Sequence, residues 1–107
     1  MFYKLDPSNF KQILPGVLMK PLTYGDNSLL CEFRLKQGSI IPAHQHPQEQ
    51  TGYLISGRLR FSSNEGEFIA VPGSSWNFKG GLVHKAEVLE DTVAIEIFSP
   101  VRQDYLA

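Results

Sequence analysis

The chain lacks most of what would assign a protein to a class at once. Among its 107 residues there is one cysteine, Cys31, so no internal disulfide can form and nothing asks for an oxidising compartment. Ten basic residues against eleven acidic ones leave a formal net charge of -1. With no lysine- or arginine-rich run, that balance removes the electrostatic case for nucleic acid or an anionic membrane surface. No apolar run approaches the roughly 20 residues needed to span a bilayer. The opening stretch MFYKLDPSNF carries Lys4, Asp6 and Pro7 and has no apolar centre of the kind a signal peptide needs. A soluble, cytoplasmic protein is the expectation. Helical periodicity is also hard to find.

What is present is punctuation. Seven prolines and nine glycines are scattered along the chain, and short segments lie between them. That pattern reads as all-β, with turns about every 8–12 residues. The length suggests one domain over residues 1–107, in which residues 1–16 form an N-terminal arm or a first edge strand. Strands are expected at Val17–Tyr24 and Leu29–Leu35, and a strand or extended arm at Ile40–His46. Gln50–Ile55 and Arg58–Phe61 follow as two strands joined by a tight turn at Gly57. Next come Glu67–Val71, Ser75–Phe78, Val83–Leu89 and Thr92–Phe98, and then a polar tail, VRQDYLA.

Nine or ten short strands in one domain must close on themselves or stack as two sheets, because open edges aggregate. A double-sheet jelly roll or small barrel satisfies this. In the last strand, Val93, Ile95 and Ile97 share one face, and Ala94, Glu96 and Phe98 share the other. One face is apolar throughout and the other is apolar except for Glu96, which in so small a protein points to a covering partner. A homodimer is expected, the alternative being that one face is merely part-exposed.

The chemistry concentrates in Gly38–Gly57, GSIIPAHQHPQEQTGYLISG. His44 and His46 are two apart, so on a strand both imidazoles point to one face. Gln50 lies an even step beyond His46 and joins that face once the chain turns at Pro47. Imidazole is the commonest protein ligand for transition metals, and an amide oxygen is an acceptable partner. A fourth ligand is needed, and the remaining histidine, His84, can supply it. The competing explanation is evenly spaced but ordinary polar residues. Three imidazoles and an amide suit one divalent transition metal, whether Mn, Fe, Co, Ni or Zn.

The spacing resembles that of a known family. Gly38, His44, His46, Gln50 and Gly57 follow the first cupin motif, with Gln50 where glutamate is usual. Gly73, Lys79, Gly81 and His84 follow the second, with Lys79 where proline is usual. The resemblance implies a small single-domain cupin, a β-barrel of jelly-roll type holding one divalent metal. PAHQHPQEQTGYLISGRLRF and VLEDTVAIEIFSPVRQDYL are similar to KdgF-type pectin-degradation proteins. Those ligate a metal through three His and one Gln and help convert 4,5-unsaturated monouronates to open-chain keto sugars. Their final strand places an acidic residue, an aromatic and an arginine near the metal, which implies those roles for Glu96, Phe98 and Arg102. The family's acidic residue is typically aspartate.

Physical chemistry supports such a division of labour. Four neutral ligands would leave a dication's full charge in the cavity, which favours an anionic substrate. Glu96 on an inner face can act as general acid/base, because an apolar cavity raises a carboxyl pKa; otherwise it orients a ligand histidine. Arg102 can clamp a uronate carboxylate at two points, or else pair with Asp104. Phe98 either packs on the sugar ring or fills the core. Glu49, one step from Gln50, points away from the metal, and Trp76 is core or cavity wall. Two other functions stay open: an oxygen-activating dioxygenase of a small molecule, and a small-ligand-binding cupin without turnover.

Overall fold

A computed structural model describes residues Met1–Ala107. Residues 1–10 form no regular element. The strands that follow are β1 (Lys11–Leu14), β2 (Val17–Tyr24), β3 (Leu29–Leu35) and β4 (Ile40–His44). Then come β5 (Glu49–Ser63), β6 (Gly66–Ala70), β7 (Ser75–Phe78), β8 (His84–Ser99) and a single helical turn, α1 (Gln103–Leu106). All strand pairings are antiparallel, in the order β1-β2-β3-β8-β5-β6, with β4 also on β8 and β7 also on β5. This is a jelly-roll β fold.

The long β5–β8 ladder is the frame of the molecule. Each of the two strands uses its outer edge twice. β8 pairs with β4 through its first half and with β3 through its second. β5 pairs with β7 through its first half and with β6 through its second. The ladder changes register around Ser56 and Arg58, a bulge that bends the sheet onto itself.

Three sequence expectations are corrected here. Gly57 does not turn the chain between two strands, and Val83–Leu89 and Thr92–Phe98 are not separate. β5 and β8 each run through, so there are eight strands rather than nine or ten. Gly57 adopts φ +97°, and a Cβ there would lie 2.3 Å from the Asp91 carbonyl oxygen. The glycine therefore marks a bulge where two backbones meet, which in sequence looks the same as a turn. The strand Ile40–His46 stops at His44, leaving His46 on the bend before β5.

The core follows period-two alternation. In β3, Leu29, Cys31, Phe33 and Leu35 are buried while Arg34 is exposed. In β8, Thr92, Ala94, Glu96 and Phe98 face inward. Burying one side chain such as Leu29 or Leu54 contributes about 1.5–3 kcal/mol. The outward face carries Val93, Ile95 and Ile97, with Ile97 42% exposed, beside Tyr53 and Ile55 on β5 at 51% and 50%. The tail is not merely polar: Val101 is buried, and Tyr105 and Leu106 of α1 pack on the core. No helix is long and apolar enough to cross a membrane.

Candidate metal centre

Three elements deliver the three imidazoles to one place. His44 closes β4, His46 sits on the bend, and His84 opens β8, directly opposite His44 in the strand register. One nitrogen from each ring lies within 4.8 Å of the others. The His44 and His84 ring centres are 4.3 Å apart, and those of His46 and His84 are 5.1 Å apart. The sequence had placed these residues forty positions apart at the extremes, and the fold brings them together.

Each ring is held the same way. Nδ1 of His44, His46 and His84 lies 2.9, 3.0 and 2.9 Å from the carbonyl oxygens of Pro42, Gln48 and Leu82. A carbonyl only accepts, so Nδ1 carries the proton and Nε2 presents a lone pair. His84 Nε2 is buried and has no hydrogen-bond partner. His46 Nε2 faces Gln50 Oε1 at 3.0 Å, a lone pair against a lone pair. Protonation is a poor remedy. Burial pushes His84 down to about 4 and also lowers His46, with the nearby Arg102 charge adding to the effect. A cation among these atoms satisfies all of them at once, so the donors present fit a divalent metal.

Gln50, at the start of β5, directs its amide oxygen to His46 Nε2. Its amide nitrogen donates to Glu96 Oε2. Glu96 is 4% exposed, and burial raises its carboxyl to about 8 against the opposing hydrogen bonds from Gln50 and Trp76. It touches no histidine, so if it orients a ligand, that ligand is Gln50. Glu49 is exposed and bonded to Asn77, pointing away as expected.

A cavity of about 310 Å³ opens beside these groups, lined in part by His44, Gln50, His84, Glu96, Phe98 and Arg102. Phe98 is 1% exposed and sits against Phe33, Tyr105 and His46, so it is chiefly core. Arg102 makes the ion pair with Asp104, Nη2 to Oδ2 at 2.8 Å, and donates to the Tyr105 hydroxyl at 2.8 Å. Its guanidinium lies 3.8 Å above the Tyr105 ring. Sequence reasoning missed Tyr105, for which the segment read as a polar tail gave no signal. It also left the Trp76 indole without a partner; Nε1 donates to Glu96 Oε1 at 2.7 Å.

A jelly-roll β-shell with three imidazoles converging at a cavity is the arrangement of a cupin with a candidate metal site. The chain belongs to the Cupin domain family, whose match spans residues 31–99. Its structure is similar to that of KdgF from Halomonas sp., with TM-score 0.90, 24% identity, and 97% of this chain and 98% of that one covered. An RmlC-like cupin from Shewanella frigidimarina NCIMB 400 superposes with TM-score 0.90 at 18% identity, covering 98% of this chain and 96% of that one. Oxalate decarboxylase from Lactobacillus farciminis, in a formate complex, gives TM-score 0.74 at 23% identity over 88% of this chain and 31% of that one. At these identities the likeness concerns the fold. A search of curated proteins gives no match.

Proposed function

We propose that this protein is a metal-dependent enzyme acting on a small sugar acid, converting a 4,5-unsaturated monouronate to its open-chain keto form. The observation that carries the reading is the orphaned Nε2 of His84 among two further inward lone pairs, at the wall of a cavity that also holds a carboxyl and a guanidinium. The likeness to KdgF supports the substrate class.

His44, His46, His84 and Gln50 would hold a divalent cation, which when bound would supply Lewis acidity toward a sugar oxygen. Arg102 holds the uronate carboxylate, trading its contact with Asp104 for the substrate's charge. Glu96, raised toward neutrality by burial, gives and takes the proton. Phe98 walls the ring side of the cavity. The outward apolar face of Val93, Ile95, Ile97, Tyr53 and Ile55 is covered by a second copy in a homodimer. The setting is the cytoplasm, where the buried Cys31 stays a free thiol.

The test is to incubate metal-loaded protein with unsaturated galacturonate and follow loss of the lyase-product absorbance. Turnover that disappears in Glu96→Gln supports the reading. A ligand-dependent rise in melting temperature with no product would instead identify a binding module.

A further inference from the structure

An amide can be read both ways round, so something must decide which end of Gln50 faces the imidazoles. The neighbours decide. Both carboxyl oxygens of Glu96 stand as acceptors, Oε2 for the Gln50 amide N–H and Oε1 for the Trp76 indole N–H. Glu96 therefore draws the Gln50 nitrogen to itself and turns Oε1 toward His46 Nε2. The opposite orientation would set Oε1 against the carboxylate and point an NH₂ group at a cation.

Glu96 is fixed in its turn. Trp76 Nε1–H donates to its other oxygen at 2.7 Å. This bond crosses from β7 to β8 over β5, and it passes Gly52, which lies opposite both Trp76 and Glu96 in the register. A Cβ on Gly52 would sit 2.2 Å from Trp76 Nε1 and 2.4 Å from Glu96 Oε1. The missing side chain is what lets indole and carboxylate meet. Packing on Phe61, with ring centres 4.6 Å apart, would hold the indole without any of this.

We propose that Trp76 and Glu96 are positioning residues of the metal centre: the indole N–H fixes the carboxylate, the carboxylate fixes the Gln50 amide, and the amide oxygen is thereby presented to a divalent cation. The inference rests on the metal reading above. It leaves Glu96 able to move a proton, because each carboxylate oxygen keeps a second lone pair and the residue borders the cavity.

The test uses the full chain with Zn²⁺ as the probe, in wild type, Trp76→Phe, Glu96→Gln and the double variant. Titration calorimetry gives the affinity. Trp76 is the chain's one tryptophan, so its single indole N–H resonance reports the bond without metal or activity. In Glu96→Gln, the new amide meets two donors with only one acceptor, and affinity falls about tenfold or more. Removing the indole donor relieves that conflict, so the double variant binds about fivefold tighter than Glu96→Gln, the worth of one hydrogen bond. A purely packing role for Trp76 would make the double variant weaker still. The wild-type indole proton is downfield, and it moves upfield in Glu96→Gln.

Wild-type affinity in Glu96→Gln, a double variant no tighter than the single one, or an indole resonance indifferent to the substitution each overturns the proposal. Where Glu96→Gln does not fold, Trp76→Phe carries the test: about fivefold weaker binding supports the proposal, and unchanged binding overturns it. A wild-type chain that takes up no divalent cation sinks the metal reading and this proposal together. Turnover lost in Glu96→Gln at unchanged affinity sinks this proposal alone.

Discussion

His44 and His84 stand directly opposite one another across the β4–β8 ladder, with ring centres 4.3 Å apart. The pair exists because of strand register. A slip of one residue in either strand would turn one imidazole to the other face of the sheet.

Metal binding at that pair should stabilise the fold. Saturating divalent cation at about a hundred times its Kd is expected to add about 2.7 kcal/mol. For a domain of this size the melting temperature should rise by roughly 10 °C or more. Differential scanning calorimetry with and without chelator checks it. His84→Ala should abolish the shift.

Acid should unfold the metal-free chain through the same histidines. His84 sits at about 4 in the folded protein against an ordinary 6.5, so folding favours the neutral ring. Its contribution is complete above 6.5 and is lost as the pH falls from there toward 4. Glu96 has the opposite sign: raised from 4.5 to about 8, its contribution is complete below 4.5 and is lost as the pH rises toward 8. Melting temperatures of the metal-free protein across this range should show both slopes, and Glu96→Gln should flatten the alkaline one.

Gly52→Ala should cost about 1–3 kcal/mol or more by overpacking. The added methyl would collide with the Trp76 ring and Glu96 Oε1 at 2.2 and 2.4 Å. Denaturant titration gives the stability, and a shifted Trp76 fluorescence maximum would locate the damage. Gly25, with nothing within 4 Å of its Cβ position, is the control.

Asp104→Asn should leave stability nearly unchanged, within about 1 kcal/mol, since the Asp104 side chain is 61% exposed and such ion pairs are worth little. It should nevertheless tighten binding of a carboxylate ligand by about threefold or more, because Arg102 then loses its internal competitor. Calorimetric titration with galacturonate measures this. Arg102→Ala is expected to weaken the same binding.

Much of the site was legible because its signals are local. The HxH pair, the even step to Gln50 and the resemblance to the two cupin motifs singled these residues out, although His46 lies past the end of β4, where strand alternation no longer applies. Alternation also put Glu96 and Phe98 on one face and Val93, Ile95 and Ile97 on the other. Gly57 misled because a bulge and a turn ask the same thing of a residue, a positive φ. Trp76 and Gly52 were opaque for another reason: their meeting with Glu96 joins three strands, and pairing across strands is not written into any one segment.

Composition and periodicity by themselves determined that this chain is all-β, and motif spacing singled out the three histidines that the fold brings together, since both depend on neighbours along the chain. Only the tertiary structure decided that β5 and β8 run unbroken, that Gln50 turns its oxygen inward, and that Glu96 leans on an indole rather than a histidine. Those outcomes depend on register between segments far apart in sequence, which is settled by how the whole sheet closes around its core.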